Sequence, residues 1–232
     1  MESIQPVVSA SGRLMSPLCV VFYIPYKEPA IFQREMSQFP NLKAYSTTSG
    51  LFNAEKEMDY FKNTLLRDID NDSLMLVDSW NGFQQTIDNP NISRNIKFEV
   101  MPKKTTSKIQ PLDVFFNRQW KVFMRSLSDK IRRLHMNFTL SERENIARII
   151  SVVHYMFTAD RFVPLIIYAW WASGYLIDRP PRNFDTPAQY CLGFQPILKC
   201  HKANCNTIGF LRCSHCENVY CFEHTMIDLH VH

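Results

Sequence analysis

The stretch IQPVVSASGRLMSPLCVVFYI, residues 4–24, decides the fold. It contains two runs rich in β-branched and aromatic residues, which flank the turn-forming tripeptide Ser11-Gly12-Arg13. This arrangement predicts two strands joined as a hairpin that begins a mixed sheet. The chain has 232 residues, of which 46% are hydrophobic and 21% charged, so it is long and apolar enough to bury a core around that sheet.

Further strand and helix patterns follow the hairpin. Residues 43–47, KAYST, predict a strand, and Asn53 can cap a helix that carries Met58, Phe61, Leu65 and Ile69 at helical spacing. Residues 74–77 form a short apolar run that predicts a strand buried on both faces. Another strand is expected over residues 96–101 after a Pro-Asn turn. Beyond it, Asp113 opens a helix whose apolar side is formed by Val114, Trp120, Phe123, Leu127, Ile131 and Leu134.

Two more helices and a change of composition complete the pattern. Ser141 and Glu144 form a Ser-x-x-Glu capping box that predicts a helix through Phe157, and another helix is expected from about Pro164 to Ser173. The longest apolar stretch, residues 166–177, is shorter than the roughly 20 residues of a membrane span. We therefore expect a buried helix there and no span.

Two features predict an intracellular protein. Residues 1–12, MESIQPVVSASG, show neither the pattern of a signal peptide nor that of an Arg-rich presequence. Five of the seven cysteines lie close to histidines in residues 200–232. That usage is typical of a metal site in a reducing compartment and not of a secreted disulfide framework.

Asp78 and Asp113 are the candidate catalytic residues. Asp78 would end a strand within LMLVDSW, and Asp113 would open a helix within TTSKIQPLDV. Converging carboxylates can hold the two divalent cations that bind the attacking water and the leaving oxygen in phosphodiester cleavage. From spacing alone, the simpler interpretation is that one Asp ends a strand and the other caps a helix.

Three segments carry a resemblance that favours the catalytic interpretation. VVSASGRLMSPLCVVF, LMLVDSW and KKTTSKIQPLDVFFNRQWK resemble consecutive landmarks of the DDE superfamily endonucleases of pogo- and mariner-like transposases. The resemblance covers roughly residues 3–121 and implies an α/β fold with a ribonuclease H-like mixed sheet and helical cover. By this resemblance, Asp78 and Asp113 match the second and third metal-binding acids, which would hold Mg²⁺.

The first acid of that family lies on a strand upstream of the part that resembles residues 4–12. We therefore expect a ribonuclease H-like sheet lacking its first strand, unless an upstream exon supplies it. Other acids in this part of the sequence are poor replacements. They are Glu2 at the terminus and Asp68, Asp70 and Asp72 in a polar turn. Efficient strand cleavage is not expected from two carboxylates alone.

A locally basic segment is the candidate DNA contact. The net charge is only +4, but residues 97–133 contain ten Lys or Arg against three acids. Such side chains can bind a phosphate backbone, although the sequence is equally consistent with the solvated face of an amphipathic helix. The transposase resemblance favours DNA. The candidate residues are Lys103, Lys104, Lys108, Arg118, Lys121, Arg125, Arg132 and Arg133.

The C-terminal residues predict zinc binding. Thiols and imidazoles recur in paired spacing, and eight of them suffice for two tetrahedral ions. A segment this short buries too little apolar surface to fold without bound metal ions. His201 and His215 are spare candidates, and a single zinc with the first cysteine pair idle is an open alternative. The candidate ligands are Cys200, Cys205, Cys213, Cys216, Cys221, His224, His230 and His232.

The segment CSHCENVYCFEHTMIDLHVH, residues 213–232, is similar to the cross-braced two-zinc fingers of the AN family, although His232 stands where that family has Cys. The resemblance implies that one ion is held by Cys200, Cys205, Cys221 and His224. It assigns the other ion to Cys213, Cys216, His230 and His232. Cys19 and Cys191 then remain as core residues.

The sequence thus predicts three regions and three candidate functions. The regions are a DDE endonuclease-like part over residues 1–135, a helical extension over 136–198 and a zinc finger over 199–232. The first function is that of a nuclear, transposase-derived endonuclease-like protein that binds DNA and is catalytically incomplete. The second is a domesticated, non-catalytic module in which the core holds nucleic acid and the finger recruits a protein. The third is a finger that binds protein on an inert scaffold.

Overall fold

In a computed structural model, which describes residues 2–26, 30–70, 72–93, 96–181, 183–195 and 197–230, the N-terminal hairpin forms as predicted. Strand β1 (Glu2–Gln5) pairs antiparallel with strand β2 (Leu18–Tyr23). Gly12 lies in the connecting turn at a φ of 94°, which is accessible to glycine. A Cβ atom at Gly12 would lie 2.6 Å from a side-chain carbon of Val163, so the turn also needs glycine for close packing.

Strand β2 is the centre of a three-stranded sheet. It is buried from Leu18 to Phe22, and on its other side it pairs in parallel with β3 (Leu42–Thr47). Helix α1 (Ala30–Met36) precedes β3 along the chain and buries Phe32 and Met36. The order is therefore β1-β2-β3, and the strand predicted over residues 43–47 is confirmed.

Helix α2 (Ala54–Asn63) begins at the predicted cap, since the Asn53 side chain accepts a hydrogen bond from the backbone N–H of Lys56. The helix ends at Asn63, before Leu65 and Ile69, which the spacing had placed on it. Its buried face packs against the first sheet through Tyr60, whose hydroxyl donates to the carbonyl of Pro17 over 3.1 Å.

Strands β4 (Ser73–Val77) and β5 (Ile96–Val100) form a separate parallel pair. The prediction that β4 is buried on both faces is wrong, because only Val77 is buried and Leu74 is 60% exposed. Among the described residues, β4 has β5 as its only strand partner, so its other edge is unpaired there. Phe98 of β5 packs against Phe61 of α2, with ring centroids 5.9 Å apart, which joins this pair to the apolar cluster around α2.

The second half of the described chain is mainly helical. A wide helical turn at Leu112–Phe116 contains Asp113 and leads into the long helix α6 (Asn117–Leu134), so the helix predicted near Asp113 is confirmed. One residue on the side of this helix that was predicted to be apolar is an exception, because Leu134 is 61% exposed. The helices after α2 are α3 (Gln84–Ile87), α4 (Pro90–Ser93), α5 (Thr106–Ile109), α6 (Asn117–Leu134), α7 (Arg143–Phe157), α8 (Val163–Ala172) and α9 (Pro187–Leu192).

The capping box predicted at Ser141 and Glu144 is wrong. Helix α7 begins at Arg143, its N-cap residue is Glu142, and no side chain caps it. Because the helix begins two residues after Ser141, that hydroxyl is out of position, and Glu144 instead forms an ion pair with Arg148 at 2.7 Å. Helices α7 and α8 nonetheless agree with the predicted spans.

No single helix among the described residues is long and apolar enough to cross a membrane. Helix α7 and the segment Asp160–Ala172 meet the length and composition criteria only as a pair, with a bend of 71° between them. Ten of the α7 side chains, including Ile149 and Val153, are buried inside the protein.

Candidate functional site

Four of the predicted zinc ligands converge at the C-terminus. The ligand atoms of Cys200, Cys205, Cys221 and His224 all lie within 4.8 Å of one another. His224 Nδ1 is 3.3 Å from Cys200 Sγ and 3.1 Å from Cys221 Sγ, and the Cys205 and Cys221 sulfurs are 3.9 Å apart. Zinc bonds of about 2.0–2.3 Å place tetrahedral ligands about 3.5–3.8 Å apart. The group therefore has the donor set and dimensions that suit zinc.

A carboxylate lies near the histidine of this group. His224 Nε2 lies 3.7 Å from a carboxylate oxygen of Asp228, one helical turn later. When Nδ1 binds a metal, a carboxylate near the other ring nitrogen fixes the tautomer and the ring orientation. The His-x3-Asp spacing is the sequence signal for this role, and the sequence analysis missed it.

A second group contains Cys213, Cys216 and His230. Cys216 Sγ lies 3.6 Å from His230 Nε2, and the His230 ring stacks on Tyr220 with centroids 3.8 Å apart. The fourth ligand that cross-bracing implies, His232, lies outside the described residues. The spare candidates His201 and His215 belong to neither group among the described residues, and His215 Nε2 is instead 2.9 Å from the carbonyl of Tyr155.

The local fold explains why the two groups interleave. Strands β6 (Leu211–Arg212) and β7 (Val219–Tyr220) form a short antiparallel hairpin with Cys213 and Cys216 in its turn. Cys221 follows β7 and leads into the helical turn Glu223–Ile227. The chain then returns to the hairpin through His230, so each group combines residues that are distant in sequence.

The thiols in these groups must lose protons when a metal binds. Burial raises the pKa of Cys221 to about 11 and that of Cys213 to about 11. Hydrogen bonds with Thr207 lower the pKa of Cys205 to about 7. Without a metal, Cys213 and Cys221 would therefore stay protonated at neutral pH, and a bound cation would supply the charge that stabilises their thiolates.

We call residues 200–230, which contain both Cys/His groups, the metal module. This module packs onto helices α6 and α7. The Arg148 guanidinium of α7 donates to the carbonyls of Met226 and Ile227 over 2.9 and 2.8 Å. Lys130 of α6 donates to the carbonyl of Phe210 over 2.6 Å. Since Cys213 belongs to the same buried apolar cluster as the helices, this module shares its core with the preceding residues.

The predicted catalytic acids have simple local roles in the structure. Asp78 follows β4 and accepts a hydrogen bond from the backbone N–H of Trp80 over 2.9 Å. Asp113 is exposed and accepts one from the side-chain amide of Asn117 over 2.9 Å. Within the described ranges, no group of three or more clustered Cys, His, Asp or Glu side chains contains either residue. The metal role of the two acids therefore remains a prediction.

Glu57 of α2 is a buried acid that the sequence analysis did not consider. It is fully buried, accepts a hydrogen bond from the Gln5 side chain over 2.7 Å, and has one carboxylate oxygen without a described hydrogen-bond partner. Burial raises its pKa to about 7, and the negative charge of Asp78 adds to the rise. The sequence signal was its place four residues before Phe61, on the buried face of α2.

The basic candidates on α6 form one exposed stripe. Arg118, Lys121, Arg125 and Arg132 fall within about 60° of one another at 3.6 residues per turn, and all are exposed. The opposite side of the helix buries Trp120, Phe123, Leu127 and Ile131. Arg133 is exposed beside the stripe, and Lys103, Lys104 and Lys108 are exposed before the helix. The charges are therefore accessible to a ligand.

Comparisons with known proteins concern mainly the C-terminal part. Residues 170–232 match the family model of the Tc5 transposase C-terminal domain. The matched span contains both groups of potential metal ligands. No curated protein and no solved structure matches the chain. The match supports a transposase-derived protein, and its Cys/His clusters are compatible with a zinc finger.

Proposed function

We propose that these 232 residues bind DNA as a transposase-derived, DDE endonuclease-like unit, which is catalytically incomplete by itself and carries a structural zinc finger. The observation that carries the proposal is the overlap between the Tc5 transposase match and the two Cys/His groups. A DNA-binding protein of this origin would act in the nucleus.

The topology supports a ribonuclease H-like sheet that lacks a strand. The three-stranded sheet has β1 at one edge, and the parallel pair has β4 at one edge. Helix α2 packs against both sheets. A further strand that paired with both β1 and β4 would join the sheets into one, and Asp78 at the end of β4 would then lie beside it. The pogo- and mariner-like resemblance of residues 3–121 favours the same interpretation.

Two acids are too few for the two-metal chemistry that the resemblance implies. A pair of Mg²⁺ ions needs carboxylates that bridge and hold both ions. Glu57 does not replace the missing acid, because it is fully buried and hydrogen-bonded to Gln5. Asp78 and Asp113 could then bind one Mg²⁺ weakly, without efficient cleavage.

DNA would be held mainly through its phosphates. The stripe of Arg118, Lys121, Arg125 and Arg132 runs along α6, which spans Asn117–Leu134. A helix of that length with charges on one side can follow a phosphate backbone without reading bases. The metal module supports this surface, because Lys130 of α6 contacts Phe210.

A non-catalytic module that recruits a protein is the second candidate function. It is favoured by exposed aliphatic side chains in and before the finger. Ile197 is 80% exposed, Ile208 65% and Ile227 39%. Such side chains can form the apolar centre of a protein contact.

The proposal is tested by measuring binding of the zinc-loaded 232-residue chain to a fluorescent DNA duplex by anisotropy at several salt concentrations. Binding that falls steeply with salt and depends little on sequence supports it. Absence of binding at low salt, with zinc content and helicity intact, would refute DNA binding. Capture of a specific protein in that case would favour the second candidate.

A further inference from the structure

An open aromatic pocket is lined in part by Phe115, which belongs to the same helical turn as Asp113. Its lining consists of Phe115, Tyr168, Phe184 and Arg179, and its volume is about 460 Å³. This volume falls within the range of about 300–1,000 Å³ that is common for sites that bind small ligands. The four residues come from three parts of the chain, so no local sequence pattern indicates the pocket.

The three rings form a contiguous cluster. The Phe115 and Tyr168 centroids are 4.7 Å apart, those of Tyr168 and Phe184 are 5.4 Å apart, and those of Phe115 and Phe184 are 6.1 Å apart. All three residues are only partly buried. The rings therefore still offer aromatic surface to a ligand.

Arg179 adds a positive charge at the rim. It is exposed, and its guanidinium lies 4.7 Å from the centroid of the Trp171 ring. Among the described residues it forms no ion pair with an acid. The guanidinium is therefore available to a phosphate.

The pocket adjoins the residues that we propose contact DNA. Phe115 lies two residues after Asp113 in the turn Leu112–Phe116, and that turn leads directly into α6 with Arg118. Lys108 lies on the preceding helix α5. A DNA strand held by these cations would pass close to the three rings.

We propose that this pocket binds an unpaired nucleobase of DNA by stacking, while Arg179 contacts the adjoining phosphate. The proposal rests on the proposed DNA binding and adds a site for single-stranded DNA to it. Partly exposed aromatic rings next to cations are what an unpaired base requires, because every base has a π face and is followed by a phosphate. A base paired inside a duplex cannot reach such a pocket.

The test measures binding of two fluorescent DNAs to the zinc-loaded 232-residue chain. One is a single strand with a central 2-aminopurine, and the other is the same strand paired in a duplex. The variants are Phe184→Leu, which keeps apolar volume but removes the π face, and Arg179→Gln. Matched controls are Phe52→Leu, at another partly buried Phe, and Arg67→Gln, at another exposed Arg. Circular dichroism and zinc content establish that each variant is folded.

We expect the protein to change 2-aminopurine fluorescence in the single strand, and Phe184→Leu and Arg179→Gln each to weaken single-strand binding about tenfold. The affinity of these variants for the duplex should change less than twofold. The two control variants should bind both DNAs with the affinity of the parent. Equal single-strand affinity in parent and variants, or equal loss for both DNAs, overturns the pocket proposal while leaving the proposed function intact. Failure of the parent to bind either DNA overturns both.

Discussion

The side-chain amide of Gln5 donates a hydrogen bond to the Glu57 carboxylate over 2.7 Å, and this contact ties strand β1 to helix α2. Glu57 is fully buried, and its other carboxylate oxygen has no hydrogen-bond partner among the described residues. A carboxylate in these surroundings is costly when ionised. Protonation of Glu57 is therefore linked to stability at neutral pH.

Replacing Glu57 by Gln should stabilise the protein above pH 7. Burial raises the folded-state pKa from its ordinary value of 4.5 to about 7, so the native state binds more protons than the unfolded state between these values. The Glu57 contribution to the free energy of unfolding is then highest below pH 4.5 and falls as pH rises to about 7. The free energy of unfolding of the variant should exceed that of the parent by up to about 3 kcal/mol at pH 8 and should equal it at pH 4.5.

The measurement is urea unfolding of both proteins across this pH range. Buried His154, whose pKa is lowered to about 4 by burial, has the opposite pH dependence. Its effect is common to both proteins and cancels in their difference. A difference that does not vary with pH would show that Glu57 has an ordinary pKa in the folded protein.

The second prediction concerns Arg148, which joins α7 to the metal module. Arg148→Ala leaves the carbonyls of Met226 and Ile227 without their donor and removes the partner of Glu144. Since the Arg148 side chain is 8% exposed, we expect a loss of about 3 kcal/mol in unfolding free energy. Exposed Arg34→Ala on α1 is the control and should change stability by less than about 0.5 kcal/mol. Comparable losses in the two variants would contradict a specific role of Arg148.

The third prediction is that the Cys/His groups hold structural zinc. A closed shell of four protein ligands leaves no position for a substrate. The double variant Cys213→Ser and Cys216→Ser should lose zinc and fail to fold normally, as measured by elemental analysis and circular dichroism. Cys191→Ser is the matched control, because Cys191 is buried but belongs to neither group and should keep the full zinc content. Normal folding of the double variant would show that the metal is dispensable.

The fourth prediction concerns the salt dependence of DNA binding. Changing Lys121, Arg125, Arg132 and Arg133 to Ala should weaken binding to every duplex alike. The slope of log affinity against log salt should fall by about one unit for each phosphate that the variant no longer binds. The control changes four exposed cations elsewhere, Arg34, Lys62, Arg67 and Lys202, and removes the same charge. If both variants lose affinity equally, only the net charge matters and the α6 stripe is no binding surface.

Local structural features were predictable from the sequence where they depend only on residues that are close together along the chain. Asn53 caps α2 because its own side chain reaches the N–H of Lys56. The capping box at Ser141 failed although its pattern is equally local, because α7 begins two residues after Ser141 and Glu144 pairs with Arg148 instead. A sequence pattern does not show which of two partners a carboxylate takes.

Features that depend on distant residues were not predictable. The apolar run at Leu74 predicts a fully buried strand, but burial also requires strands and helices on both sides, which β4 lacks among the described residues. The contact of Gln5 with Glu57 and the rings around Phe115 likewise depend on tertiary packing. The grouping of Cys200 with His224 was accessible only because a resemblance to cross-braced fingers supplied the pairing.

The last prediction is that this chain does not cleave DNA with Mg²⁺ or Mn²⁺. Phosphoryl transfer without a covalent intermediate depends on metals that position the reacting oxygens and neutralise charge. The resemblance implies three acids for that purpose, and the 232 residues supply Asp78 and Asp113 as matches for two. A plasmid-nicking assay should therefore give the same background for the parent, for Asp78→Ala and for the control Asp88→Ala. Metal-dependent nicking by the parent and by Asp88→Ala that vanishes in Asp78→Ala would show a competent site and refute the prediction.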